Sequence, residues 1–133
     1  MGKTNLDILV SKRPFEIKTA SYSISAGDSG TVFGIGTDAI VLTLPATVAG
    51  LIYSFVNTGA DGNNLITISP NASDAIHGTA TLAASVVEFG GVDDKDIINT
   101  KATANTGDVI TLVGDGVAGW YVLNSTGIWA SEA

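Results

Sequence analysis

Residues 51–71 read LIYSFVNTGADGNNLITISPN, and this stretch decides the predicted fold class. Residues 51–57 are rich in β-branched and aromatic residues, and 65–69 alternate apolar and polar side chains with the period of a strand. Between them, 58–64 contain glycine, aspartate and asparagine, which favour turns. Pro70 ends the second run because proline cannot donate a ladder hydrogen bond. The stretch therefore predicts two strands joined by a turn.

The same pattern continues on both sides of this stretch. Further strands are predicted at 20–25, 31–35, 39–44, 75–77, 81–89, 96–103, 108–113, 119–124 and 127–130. The short gap at 36–38 predicts that 31–35 and 39–44 form a hairpin. The alanines of 80–87 permit a helix, but its β-branched residues favour a strand or irregular structure.

The expected fold class is all-β, as a single-domain antiparallel β-sandwich or a jelly-roll-like barrel with an extended N-terminal arm. Periodicity does not distinguish a sandwich from a barrel, because strand order is not visible in it. The alternation also predicts the inward-facing side chains. They are Ile24, Val32, Ile40, Leu42, Leu44, Ile52, Phe55, Ile66, Ile68, Ile110, Leu112, Tyr121 and Leu123.

Composition narrows the chemistry that the chain performs. The 133 residues have the commonest size of one domain, and 45% are hydrophobic while 14% are charged. There is no cysteine, which excludes disulfides, thiolate nucleophiles and cysteine-ligated metals. A single histidine, His77, excludes two-histidine metal motifs. We therefore expect no enzyme activity, no cofactor and no metal site.

Charge divides the chain at residue 18. Residues 1–18 carry four basic and two acidic residues, a net charge of +2, whereas 19–133 carry two basic and eleven acidic residues, a net charge of −9. These ranges define a basic N-terminal arm, 1–18, and a β-domain, 19–133. A body this acidic repels phosphate, so nucleic acid is excluded as a partner. The apolar run at 8–10 is too short for a signal peptide or a membrane span, so no membrane partner is expected.

Polar residues in the predicted turns have structural explanations. His77 lies near Ser73 and Asp74, but no nucleophile elbow surrounds them, and we expect a histidine that is hydrogen-bonded locally at a turn edge. The acidic group Asp93, Asp94 and Asp96 lacks the pattern of a calcium loop and is typical of a solvated turn. Three aspartates beside glycines, Asp28, Asp61 and Asp108, are expected to cap backbone N–H groups in turns, whereas Asp115 between Gly114 and Gly116 would add one further oxygen to the acidic group.

Two tryptophans admit two interpretations. Trp120 stands next to Tyr121 in a predicted strand, so one of them points inward and the other outward. Trp129 lies near the C-terminal end. Core packing is the default for at least one tryptophan, and the alternative is an exposed ring that stacks on a sugar or enters a subunit interface.

Several motifs taken together resemble small β-rich virion proteins of tailed bacteriophages. The motifs are Leu44-Pro45, GLIYSFVN at 50–57, ITISP at 66–70, DAIHG at 74–78, NTKAT at 99–103, GDVITL at 107–112, GDG at 114–116 and GWYV at 119–122. The resemblance implies a capsid decoration or cement protein that binds the major capsid protein outside the assembled shell, commonly as a homotrimer. It implies a virion location after assembly in the bacterial cytoplasm. Similar modules occur in fibres, so the alternative is a receptor- or carbohydrate-binding module of a head or tail fibre.

The N-terminal arm is the expected attachment site. Apolar residues alternate along it before a basic and aromatic cluster, a pattern that suits addition of a strand to a neighbouring subunit or to the shell. The candidate capsid- or subunit-binding residues are Leu6, Ile8, Val10, Lys12, Arg13, Phe15 and Lys18.

Overall fold

Strands dominate the computed structural model, which describes residues 13–81 and 86–132. Two single-turn 3-10 helices, Ala26–Asp28 and Lys101–Thr103, are the helical elements of this part of the chain. The strands are β1 (Phe15–Lys18), β2 (Tyr22–Ser23), β3 (Val32–Ile35), β4 (Ile40–Thr43), β5 (Ile52–Asn57), β6 (Ile66–Ser69), β7 (Ala75–Thr81), β8 (Val86–Gly90), β9 (Ile97–Asn99), β10 (Val109–Gly114), β11 (Gly119–Thr126) and β12 (Trp129–Ser131). The all-β prediction is confirmed.

The strands form two sheets. A seven-stranded sheet has the order β1-β3-β5-β10-β11-β7-β8, and a five-stranded sheet has the order β12-β9-β6-β4-β2. The first six strands alternate between the sheets, so that the chain winds three times around a common core. Within each sheet the successive wound strands are parallel, as in the pairs Val32↔Ser54 and Ile40↔Ile66.

The prediction of an antiparallel fold is therefore wrong. Five of the ten pairings among the described strands are parallel, and both sheets are mixed. The hairpin expected at 31–44 is also wrong, because β3 and β4 belong to different sheets. The chain turns the corner between the sheets at Ala39, which adopts a positive φ of 61°. Period two marks a strand but not its partner, and both pairing modes share that period.

Side chains from both sheets form one buried core. Most of the predicted core is confirmed: Ile24, Ile40, Leu42, Leu44, Phe55, Ile66, Ile68, Ile110 and Leu112 are buried. Val32 and Ile52 are half-buried on the opposite side of their strands. Tyr121 and Leu123 are exposed, so their prediction is wrong. The core also contains residues that the alternation did not indicate, among them Phe33, Ile35, Tyr53, Ile97, Trp120 and Trp129.

Turn aspartates hold the loops between strands, as expected for Asp28, Asp61 and Asp108 and also at Asp115. Asp115 Oδ1 accepts N–H bonds from Val117, Ala118 and Gly119 at 2.8–3.0 Å. These bonds, led by that of Gly119, hold the pKa of the Asp115 carboxyl below its usual value. Asp61 accepts the N–H of Thr106.

The remaining aspartates behave similarly. The Asp28 carboxylate accepts the Ser25 N–H, which lowers its pKa, and also the Tyr22 hydroxyl. Asp108 accepts the N–H of Asn105 at 2.9 Å.

The segment 80–87 was predicted to be a strand or irregular, and β7 runs to residue 81 while β8 begins at residue 86. The described residues contain no helix with the length and apolarity needed to cross a membrane.

Candidate interaction surface

Four neighbouring strands of the seven-stranded sheet carry no charged residue. They are β3, β5, β10 and β11, and they lie side by side in a chain that has 19 charged residues, six basic and thirteen acidic. One side of these strands packs in the core. The other side, together with the same side of the neighbouring β1, is called the outer face below.

Strand register assigns residues to the outer face, because partners on adjacent strands point to the same side of a sheet. One row across the strands starts at Phe15 and a second starts at Ile17. The face consists of apolar and uncharged polar residues: Phe15, Ile17, Val32, Gly34, Ile52, Ser54, Val56, Val109, Thr111, Val113, Tyr121, Leu123, Asn124 and Thr126.

A β-bulge in β11 increases the exposure of this face. The register with β10 shifts between Thr111 and Leu112, which pair with Asn124 and Val122, so Leu123 is left without a partner. The bulge places an extra residue on one strand and twists it locally. Leu123 is 56% exposed and Tyr121 is 46% exposed. Leu123 therefore stands out from the sheet, while the Tyr121 ring lies against His77 of β7 and remains partly exposed.

At the edge of the sheet, two side chains of β1 lie across the outer face. A Cβ atom at Gly34 would come within 2.8 Å of both Phe15 Cζ and Ile17 Cδ1. Glycine at this position therefore leaves room for both side chains to lie on the strand. Phe15 and Ile17 nevertheless remain 57% and 56% exposed.

Polar groups at the centre of the face already have partners within the chain. Ser54 Oγ lies 2.7 Å from Thr111 Oγ1, and Arg13 Nη1 donates to Ser54 Oγ at 2.9 Å. Arg13 Nε also donates to the carbonyl of Gly30 at 2.8 Å. Because the two hydroxyls are bonded to each other, covering the face does not leave them without a partner.

The described part of the predicted arm belongs to the sheet. The Pro14 carbonyl accepts the Val32 N–H at 2.8 Å, and β1 pairs with β3 along its whole length. Phe15 joins the outer face, and Arg13 reaches it through Ser54. Lys18 does not, because its Nζ lies 3.6 Å from the centroid of the Tyr22 ring. The other candidate arm residues, Leu6, Ile8, Val10 and Lys12, lie outside the described residues.

Neither tryptophan is available at the surface. Trp120 and Trp129 are both 0% exposed. The Trp120 ring packs 5.7 Å from the ring of Tyr53, and Trp129 Nε1 donates to the Thr126 carbonyl at 3.0 Å. The candidate role of exposed rings that stack on a sugar is therefore corrected to core packing for both residues. Tyr121 is the exposed aromatic residue of this strand.

His77 lies within β7 and not at a turn edge. Its ring stacks on Tyr121 with a centroid distance of 5.0 Å, and its Nε2 is buried without a hydrogen-bond partner among the described residues. The expected local hydrogen bond at this nitrogen is thus not found. The neighbouring Asp74 carboxylate accepts the N–H of Thr47 at 2.8 Å. The arrangement holds a loop against β7 and does not assemble a nucleophile with a base.

The acidic group between β8 and β9 does not form a ligand set. Asp93 and Asp94 are exposed, whereas burial raises the pKa of the Asp96 carboxyl. No three acidic or histidine side chains come together as metal ligands in residues 13–81 and 86–132. This segment borders a cavity of about 250 Å³ near the β8 edge, remote in strand order from β1. Its lining includes the apolar side chains of Ile76, Phe89 and Ile97.

A buried polar network joins the two sheets, and sequence reasoning did not identify it. Asn57 Nδ2 donates to Asn99 Oδ1 at 3.0 Å, and Asn99 Nδ2 donates to Asp108 Oδ2 at 3.0 Å. Asn64 Nδ2 donates to Asn57 Oδ1 at 3.2 Å. Each of these four residues is at most 4% exposed. Three of them, Asn57, Asn99 and Asp108, lie in the motifs that resemble phage proteins. Their presence in these motifs is the signal by which the sequence could have indicated the network.

Comparison with known proteins does not assign a family. No protein-family model matches the chain, and no curated protein matches it.

Proposed function

We propose that the chain is a non-enzymatic structural protein of a tailed-bacteriophage particle, which binds the outside of the assembled capsid as a decoration or cement protein. The observation that carries the proposal of a structural protein that works in an assembly is the outer face, whose strands β3, β5, β10 and β11 contain no charged residue and along which large apolar side chains are exposed. Monomeric soluble proteins rarely expose a large contiguous apolar patch unless it is used for binding. Residues of the motifs that resemble phage proteins hold loops in place and form the buried network, and the resulting rigid scaffold suits a binding protein.

The proposed partner is the major capsid protein, and the proposed contact begins at the β1 edge. An edge strand presents backbone donors and acceptors to which another chain can add a strand. Residues 1–12 precede this edge, and their apolar residues alternate at Leu6, Ile8 and Val10. We propose that these side chains contact the shell while Lys12 and Arg13 complement acidic groups there.

The finer architecture belongs to the same proposal. We propose that the two sheets are the layers of a sandwich and that the protein acts as a homotrimer on the capsid surface. The single core built from both sheets supports the sandwich. Three linked copies would bind more tightly than one, because each further contact becomes intramolecular once the first has formed.

Immunogold labelling of intact particles of the source virus tests the proposed function. An antibody against this chain, viewed by negative-stain electron microscopy, is expected to label the whole head surface. Label confined to a tail or fibre tip would overturn the decoration function in favour of receptor binding. Particles that carry no label, while the denatured particle is also negative by immunoblot, would remove the virion assignment.

Removal of residues 1–12 tests the attachment. The shortened chain is expected to keep its β circular dichroism spectrum, because β1 begins at Phe15, and to lose shell binding in co-sedimentation with stripped capsids. Burial of three apolar side chains at about 1 kcal/mol each corresponds to roughly 100-fold in affinity.

Two full-length variants separate apolar contact from charge. Leu6→Ser, Ile8→Ser and Val10→Ser together keep every charge of the arm and are expected to reproduce the loss. The double variant Lys3→Gln and Lys12→Gln keeps the apolar side chains and measures the contribution of charge, which is expected to be the smaller loss. If the serine variant still binds and the glutamine variant does not, attachment through the apolar side chains of an added strand is contradicted.

A further inference from the structure

We infer that the outer face of the seven-stranded sheet is covered by further copies of this chain. The inference rests on the self-association in the proposed function and adds to it the surface through which the copies meet. It is carried by the area, the charge and the hydrogen bonding of this face.

Four exposed apolar side chains supply about half of the area that a standard interface buries on each partner. Phe15, Ile17, Tyr121 and Leu123 each expose about half of their surface. Since a large apolar side chain presents roughly 200 Å² in total, each contributes about 100 Å², and the four together contribute about 400 Å². Half-buried valines and Ile52 add to this between the strands. A standard interface buries about 800 Å² on each partner, so the face supplies a large part of one.

The shape of the face also suits a broad contact. The exposed residues of β1 and of β11 lie four strand spacings apart in the sheet order. At about 4.8 Å per spacing, the apolar surface spans about 19 Å. Half-buried Val32, Val56 and Val109 occupy the strands between these exposed residues.

Charge favours a copy of the chain over a partner that is recognised electrostatically. The chain has a net charge of −7, so two copies repel unless their carboxylates stay apart. A basic partner would be attracted to the acidic loops, where Asp93 and Asp94 are exposed. Because β3, β5, β10 and β11 contain no acidic residue, the outer face lets equally negative copies approach and leaves their carboxylates at the rim.

Hydrogen bonds within the chain lower the desolvation cost of covering the hydroxyls at the centre of the face. The Ser54 and Thr111 hydroxyls bond to each other, and the Arg13 guanidinium is held by Ser54 and by the Gly30 carbonyl. The two hydroxyls therefore keep their partners when water is excluded, whereas the charged Arg13 guanidinium opposes its own burial and is expected to stay hydrated.

Sedimentation of the full-length chain over a wide range of concentration tests the inference. The parent chain is expected to form an oligomer, and Leu123→Glu is expected to weaken its association by about 100-fold or more, because burial would desolvate the new carboxylate. Phe15→Glu, at the other end of the face, is expected to have the same effect. Val92→Glu is the matched control, since Val92 is 57% exposed, lies off the outer face and gains the same charge.

Each outcome of this experiment decides the inference. A parent chain that stays monomeric up to millimolar concentration would overturn it, as would equal weakening by Leu123→Glu and Val92→Glu. Folded Leu123→Glu and Phe15→Glu variants that associate like the parent chain would overturn it as well. The proposed function fails separately: an oligomer that does not label phage heads contradicts the function, whereas a monomer that labels them contradicts the interface.

Discussion

Replacement of Asn99 by leucine is expected to cost a large part of the stability of the fold. The Asn99 side chain is fully buried in the network between the two sheets. It accepts a hydrogen bond from Asn57 and donates to Asp108 and to the Ile128 carbonyl, at 3.0–3.1 Å. Leucine has the same branching at Cγ and forms none of these bonds, so the variant removes hydrogen bonding without opening a cavity.

The magnitude follows from the three partners that the substitution leaves behind. The two bonds between neutral groups are worth about 1 kcal/mol each, and the bond to the Asp108 carboxylate is worth about 2 kcal/mol. The leucine side chain recovers part of this through apolar burial, so we expect a loss of about 3 kcal/mol in the free energy of unfolding. At about 4 °C per kcal/mol, the melting temperature should fall by about 12 °C.

Urea unfolding followed by two probes measures this loss. Tryptophan fluorescence reports on the core, but Trp129 pairs directly with residue 99, so far-ultraviolet circular dichroism must give the same midpoint. Asn105→Leu is the control, because Asn105 is an exposed asparagine in the loop that precedes Asp108. A difference between the two variants of less than about 1 kcal/mol would refute the assigned strength of the network.

Two further predictions concern the loops. Asp115→Asn should reduce the loss of stability in acid. The lowered folded-state pKa of Asp115 gives stabilisation that is complete above about pH 4 and is lost as the pH falls through the folded value. Urea midpoints that run parallel for the variant and the parent chain from about pH 7 to pH 2.5 would contradict this. Gly127→Ala should destabilise the fold more than Gly107→Ala. Both glycines have a φ of 93°, so the backbone strain of an alanine is matched. A Cβ at residue 127 would contact the Asp108 carboxylate, whereas nothing lies within 4 Å of a Cβ at residue 107. Equal unfolding free energies for the two alanine variants would show that the contact relaxes without cost.

Strand positions were predictable from sequence, whereas strand partners were not. The alternation of Ile66 to Ser69 indicates a strand because one side of it is buried and the other is not. The corner at Ala39 does not appear in that pattern, so a short gap that resembles a hairpin turn instead carries the chain from one sheet to the other. Parallel and antiparallel neighbours bury the same alternate residues, so the sheet order remained hidden.

The failure in β11 has a different cause. Residues 120–123 read Trp-Tyr-Val-Leu, so no polar side chain marks the exposed side of the strand. A displacement by one residue exchanges the two faces, which is why Tyr121 and Leu123 were expected in the core in place of Trp120. The same apolar run is what makes the outer face exposed and uncharged. The two residues that the pattern places in the core are thus among those that make the outer face apolar.

The alternation of the first six strands between sheets also has a consequence for the order in which the fold assembles. Phe15 pairs with Val32, 17 residues away, and Ile40 pairs with Ile66, 26 residues away. Each such pairing closes a long loop before any ladder bond compensates for the lost chain entropy. By contrast, β10 and β11 are joined by the tight turn that Asp115 caps, and they pair antiparallel. The pairing of β5 with β10 closes a longer loop still, from Val56 to Val109, so this hairpin is expected to form before the wound strands join it.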